Sequence, residues 1–159
     1  MNKRFKIFIL FAAVAVVVSA GFIRGVGSRA FMLDDDQYLA ENELVAEPGW
    51  ESFKRFFGEV SHPSTVRGYY QPLAMVSLMV DSWLGGSMED QRVFKVTSLV
   101  LHVGNSLLLV WLVYLLFGNW LVGAAVGVLF GLHPMGIESV VWISERKTVL
   151  ASFFGLLAI

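Results

Sequence analysis

Leu129 to Lys147 reads LFGLHPMGIESVVWISERK, an apolar run broken by His133-Pro134 and by Glu138 and closed by Glu145-Arg146-Lys147. Apolar sequence continues on both sides, so these polar groups lie at or near membrane depth. Ionisable groups are costly there and line a cavity or pathway rather than face lipid, which makes the run a candidate functional site. Pro134 pushes His133 away from helical geometry. The chain therefore breaks and restarts, leaving backbone groups that need protein or water partners. A helix beginning at Glu138 would put Glu138, Trp142 and Glu145 on one face with Arg146 and Lys147 beside it. A cationic pair at a membrane surface suits an anionic lipid headgroup or a phosphate, and arginine adds bidentate geometry. Interfacial anchoring with an internal glutamate–arginine pair is the plainer alternative.

Composition carries the same message over the whole chain. Of 159 residues, 56% are hydrophobic and only 16% charged, with a mean hydropathy of +0.65, far from the balance of a soluble domain. The expected fold class is all-α: a polytopic helical membrane protein with an extracytoplasmic loop containing amphipathic helices. A net charge of -1 comes without the clustered Lys and Arg that phosphate backbones require, so nucleic acid is excluded as a partner. The chain has no cysteine, which rules out a disulfide framework and thiolate metal sites.

Lys3, Arg4 and Lys6 precede an apolar run at 7–23, the expected first membrane helix, about 25 Å long. A cleaved signal peptide ending near Val18-Ser19-Ala20 competes with this reading, but the run exceeds the usual signal core of ~7–15 residues. Basic residues ahead of the helix put the N-terminus in the cytoplasm and residues 24–92 outside, as one extracytoplasmic loop. Within it, Trp50, Phe53, Phe56 and Phe57 interleave with charged residues as a short amphipathic helix, lying along the membrane or packing on the rest of the loop. The apolar stretch from Pro72 to Leu84 is too short to span and reads as interfacial or re-entrant, with Pro72 in its first turn. A second membrane helix is expected at 96–117, where His102 and Asn105 read as interhelical hydrogen-bond partners. Gly118-Asn119 reverses the chain into a third helix at 120–133, whose Gly123, Ala124, Ala125, Gly127 and Gly131 allow close approach. His133-Pro134 then returns to the side of the polar loop, and residues 148–159 start a fourth helix.

The loop supplies a second candidate cluster, Asp34-Asp35-Asp36. Three adjacent carboxylates repel one another, raising at least one pKa, and suit a divalent cation, with Asp34 and Asp36 as ligands, or a general base. A solvated acidic turn is the plainer reading. No metal-ligand spacing links the histidines, including His62 ahead of Pro63, and there is no glycine-rich phosphate loop or Ser or Cys nucleophile motif.

Taken in order, Asp34-Asp35-Asp36-Gln37-Tyr38, Asn42, Gly49-Trp50-Glu51-Ser52-Phe53, Gln71-Pro72-Leu73, Leu101-His102 and the block from Leu132-His133-Pro134 to Glu145-Arg146-Lys147 and Leu150 resemble a known membrane domain. The chain is similar to the amino-terminal part of bacterial multi-pass proteins that carry tetratricopeptide repeats after a glycosyltransferase type C membrane domain, relatives of the protein O-mannosyltransferases. The resemblance implies a transferase of the bacterial inner membrane that uses a polyprenyl-phosphate-linked sugar as donor on the outer face. Asp34 and Asp35 would be the catalytic acidic pair, one acting as base on the acceptor hydroxyl. Arg146 and Lys147 would neutralise the lipid phosphate, while His133 and Glu138 would shape the site. Three helices and part of a fourth are too few to enclose a lipid-sugar cleft. The expectation is therefore the N-terminal portion of such an enzyme, or else a short non-catalytic integral subunit of a larger complex with other membrane protein chains.

Overall fold

The computed structural model describes residues 2–28, 35–39, 41–60 and 69–159. Among them the chain is all helical, with no β-strand. The first helix, α1 (Lys3–Val26), starts where the Asn2 side chain accepts the Arg4 N–H at 3.3 Å. Short helices follow: α2 (Asp35–Tyr38), α3 (Glu43–Ala46), α4 (Trp50–Gly58) and α5 (Pro72–Trp83). The long α6 (Arg92–Phe117) ends at Gly118, whose φ of 67° is the left-handed conformation that glycine adopts without strain. Asn119 then caps α7 (Trp120–Gly131), its side chain accepting the Leu121 N–H at 2.9 Å. The remaining elements are α8 (Gly136–Val141), one 3-10 turn at Ile143–Glu145 and α9 (Arg146–Leu157).

By length and composition, α1 and α6 can each cross a membrane, and α7 is a shorter apolar helix. Twelve residues of α7 rise roughly 18 Å, against a hydrocarbon core of about 30 Å. The third crossing expected at 120–133 is thus not one helix. Pro134, which has no N–H and restricts His133, interrupts it, and the chain resumes as α8 after the Gly136 N–H bonds to the His133 carbonyl at 2.8 Å. Small residues set its path: a Cβ on Gly123 would stand 2.6 Å from the Val110 carbonyl oxygen, and one on Gly136 would stand 3.1 Å from the His102 ring. The broken segment α7–α8 therefore runs back along α6.

Two cores result. One joins Val14, Val18 and Phe22 of α1 with Leu99 and Val110 of α6, Ala124 and Val140. The other lies under a cap formed by α2 to α5 and gathers Tyr38, Val45, Phe56, Met75 and Leu78 with Phe94 and Ile143. The amphipathic α4 packs on this cap through Phe56, while Trp50 and Phe57 on its other side stay exposed. The cap covers the start of α6, and the opposite end of the molecule is the α6–α7 hairpin.

Candidate functional site

The two clusters singled out in the sequence meet under the cap. Trp142 is extended, with φ −89° and ψ 115°, so the helix expected to carry Glu138, Trp142 and Glu145 on one face ends at Val141. A fresh turn begins beyond it, and the leading amides of such a turn lack partners within it. Asp35 supplies one: its Oδ1 accepts the Ser144 N–H at 3.0 Å, across 109 residues of chain. Both residues are buried. The acidic segment is thereby tied to the turn that leads into Arg146 and Lys147.

Arg146 begins α9 with no solvent exposure. Its Nε donates to Ser98 Oγ at 3.1 Å, its Nη1 to Ser77 Oγ at 2.6 Å, and its Nη2 to both Asp81 Oδ2 and the Phe94 carbonyl at 2.6 Å. Asp81 is equally enclosed, and Thr97 Oγ1 donates to its other oxygen at 2.7 Å. Burial pushes the Asp81 carboxyl up; the Arg146 charge and the two hydrogen-bonding partners pull it back without fully offsetting that push. The guanidinium keeps its proton in any case. Where the sequence suggested an arginine presented to a phosphate, the structure has one enclosed between α5 and α6.

Lys147 sits differently. Its side chain is 39% exposed and pairs with Glu145 at 3.0 Å, while its Nζ donates to the Ser144 carbonyl at 3.0 Å and stands 5.8 Å from the Tyr38 ring. Burial pulls the Glu145 carboxyl up, but hydrogen bonds from Thr148 and Lys147 and the lysine charge together hold it below the ordinary glutamate range. Asp36 is half-buried on α2, and Asp34 lies outside the described residues.

His133 and Glu138 are exposed and stand apart from this cluster. His133 Nδ1 accepts the Met135 N–H at 3.3 Å, and its ring borders a recess of about 220 Å³ shared with His102, Asn105, Ser139 and Thr148. His102 Nε2 lies 3.0 Å from the Gly131 carbonyl and Asn105 Nδ2 donates to the Val149 carbonyl at 3.0 Å, the interhelical roles expected of them. Among the described residues no three His, Asp or Glu side chains gather at metal-binding range.

Sequence reasoning missed Asp81 and Lys95. Asp81 was legible in principle: it is the lone carboxylate in the apolar run from Pro72 to Leu84, and a charge buried in such a helix calls for a counter-ion. Lys95 read as a flanking base, yet it is completely buried, its Nζ donating to the Ser28 carbonyl at 2.6 Å.

Against known proteins, the chain is 26% identical over 144 residues to the human protein described as Protein O-mannosyl-transferase TMTC4, with 80% of this chain and 19% of that protein covered. It spans about a fifth of that relative's length. This is a distant relationship to a protein O-mannosyltransferase. No family model matches the chain, and no solved structure does.

Proposed function

We propose that this chain is a multi-pass membrane part of a glycosyltransferase that takes a sugar from a polyprenyl-phosphate donor on the outer face of the bacterial inner membrane, with its N-terminus in the cytoplasm. The observation that carries the reading is the Asp35–Ser144 bond, which joins an acidic segment to a basic turn at the cap end of α6. The relationship to a protein O-mannosyltransferase supports it, as do α1 and α6, each long and apolar enough to cross a membrane.

In the reaction, Asp34 takes the proton of an acceptor hydroxyl. The oxygen attacks the anomeric carbon with inversion, and the lipid phosphate leaves with the electron pair of the broken bond. Lys147 offsets the charge growing on that phosphate, where electrostatic help counts most. Asp35 and Arg146, both enclosed, hold the two halves of the site in register. His133 and Glu138 flank the lipid's approach below.

The burial of Asp35 and Arg146 favours a second reading. Their charges would then be purely structural, and the chain would be a non-catalytic integral subunit of a larger membrane assembly. Membranes containing the full-length protein, given a radiolabelled polyprenyl-phosphate sugar and a hydroxyl acceptor, separate the two. The transferase reading expects label in the acceptor and a donor KM raised roughly tenfold by Lys147→Met, in keeping with one lost charge contact. No transfer from any lipid-linked sugar, with stoichiometric partner chains copurifying, would favour the subunit.

A further inference from the structure

Four charged side chains are almost fully enclosed among the described residues: the carboxylates Asp35 and Asp81 and the cations Lys95 and Arg146, none more than 2% exposed. Buried charges persist only when compensated. Asp81 and Arg146 compensate each other at 2.6 Å, which leaves Lys95 and Asp35. The Ser28 carbonyl orients the Lys95 ammonium but carries no charge to neutralise it, whereas the Asp35 carboxylate lies near enough for the two charges to attract. The buried charges thus balance as two pairs, and both pairs rest on the same stretch of α6. Phe94 and Ser98 bind the Arg146 guanidinium, and Lys95 lies between them.

We infer that Lys95 is the counter-ion of Asp35 and, through it, the positioning residue for the acidic segment. One buried ammonium binds Ser28, just after α1, and faces Asp35, the first residue of α2. Asp35 in turn holds the Ser144 N–H ahead of Arg146 and Lys147. This divides the labour within the acidic triplet. Asp35 is committed to Lys95 and Ser144, and its sequence neighbour Asp34 is left as the proton acceptor. That last step rests on the glycosyltransferase reading, but the pairing does not.

The test uses the full-length protein. Thermal midpoints in detergent are measured for the wild type, Lys95→Met, Asp35→Asn and the double variant. Each single change strands one buried charge and should lower the midpoint by several degrees. The double variant should melt no lower than the worse single, whereas strictly additive losses would overturn the pairing. If the single variants do not fold, Lys95→Arg and Lys95→Gln decide instead. Glutamine can still donate to the Ser28 carbonyl, so a Gln variant as stable as the Arg variant would reduce Lys95 to a neutral hydrogen-bond donor and overturn the inference. In the transfer assay Lys95→Met should cut kcat on the order of 10- to 100-fold, the usual cost of a displaced catalytic group, with donor KM little changed and most of the loss recovered in Lys95→Arg. An unchanged kcat would overturn the positioning role. A wild type without transfer activity but with coupled midpoints would sink the glycosyltransferase reading and leave the Lys95–Asp35 pair standing.

Discussion

At the scale of single residues, Arg146 is the most constrained side chain in the molecule. It fills a fully enclosed site with four hydrogen bonds, two of them from one nitrogen. Arg146→Met would leave Asp81 buried without its counter-ion, at a cost of about 3–5 kcal/mol. Adding Asp81→Leu should recover much of that loss in chemical denaturation. Glu145 gives a milder effect with a definite sign. Its carboxyl is held below the ordinary glutamate range, so its contribution is complete above that range and fades as the pH falls through the depressed value. The difference in thermal midpoint between wild type and Glu145→Gln should shrink on acidification. The chemistry-bearing residues of the 138–147 run stood out in the sequence because they interrupt an apolar pattern. What Arg146 does there did not stand out, since its partners Ser98, Asp81 and Ser77 lie 48, 65 and 69 residues away. Spacing along a chain says nothing about contacts at that range.

Among the elements, the α6–α7 hairpin depends on small residues at its seam. Gly123 meets the Val110 carbonyl so closely that an added Cβ would stand 2.6 Å from its oxygen, and backbone does not yield as a side-chain tip would. Gly123→Ala should therefore destabilise by about 1–3 kcal/mol through overpacking. Gly155, in the middle of α9, has nothing within 4 Å of the same position. There Ala should be neutral or gain up to about 1 kcal/mol from helix propensity. Thermal melts of the two variants in one detergent make the comparison. The positions of α1, α5, α6 and α7 could be read from apolar runs bounded by Asn2, Pro72, Gly118 and Asn119, which are local signals. The split of the returning segment into α7, α8 and a 3-10 turn was half legible: Pro134 marked the first break. The second, at Trp142, depends on Asp35 capturing the Ser144 N–H, a tertiary bond with no local signature.

At the scale of the whole molecule, the cap and the hairpin form opposite ends, and the proposed orientation puts the cap outside. The chain has no cysteine, so single introduced cysteines report cleanly. Trp50→Cys, on the exposed side of α4, should react with a membrane-impermeant thiol reagent applied from outside to sealed spheroplasts, and Asn2→Cys should react only after lysis. Composition and basic residues suggested this arrangement. The closing of the loop onto the basic turn, by contrast, emerges only from the fold, because it joins residues more than a hundred positions apart. The central claim is that this junction is a site of sugar transfer. It is tested most directly by the rate of transfer from a polyprenyl-phosphate sugar in the full-length protein, wild type against Asp34→Asn. The account predicts a fall of at least about 100-fold, the scale of a lost general base, with the thermal midpoint preserved. Equal rates in the two proteins would contradict it.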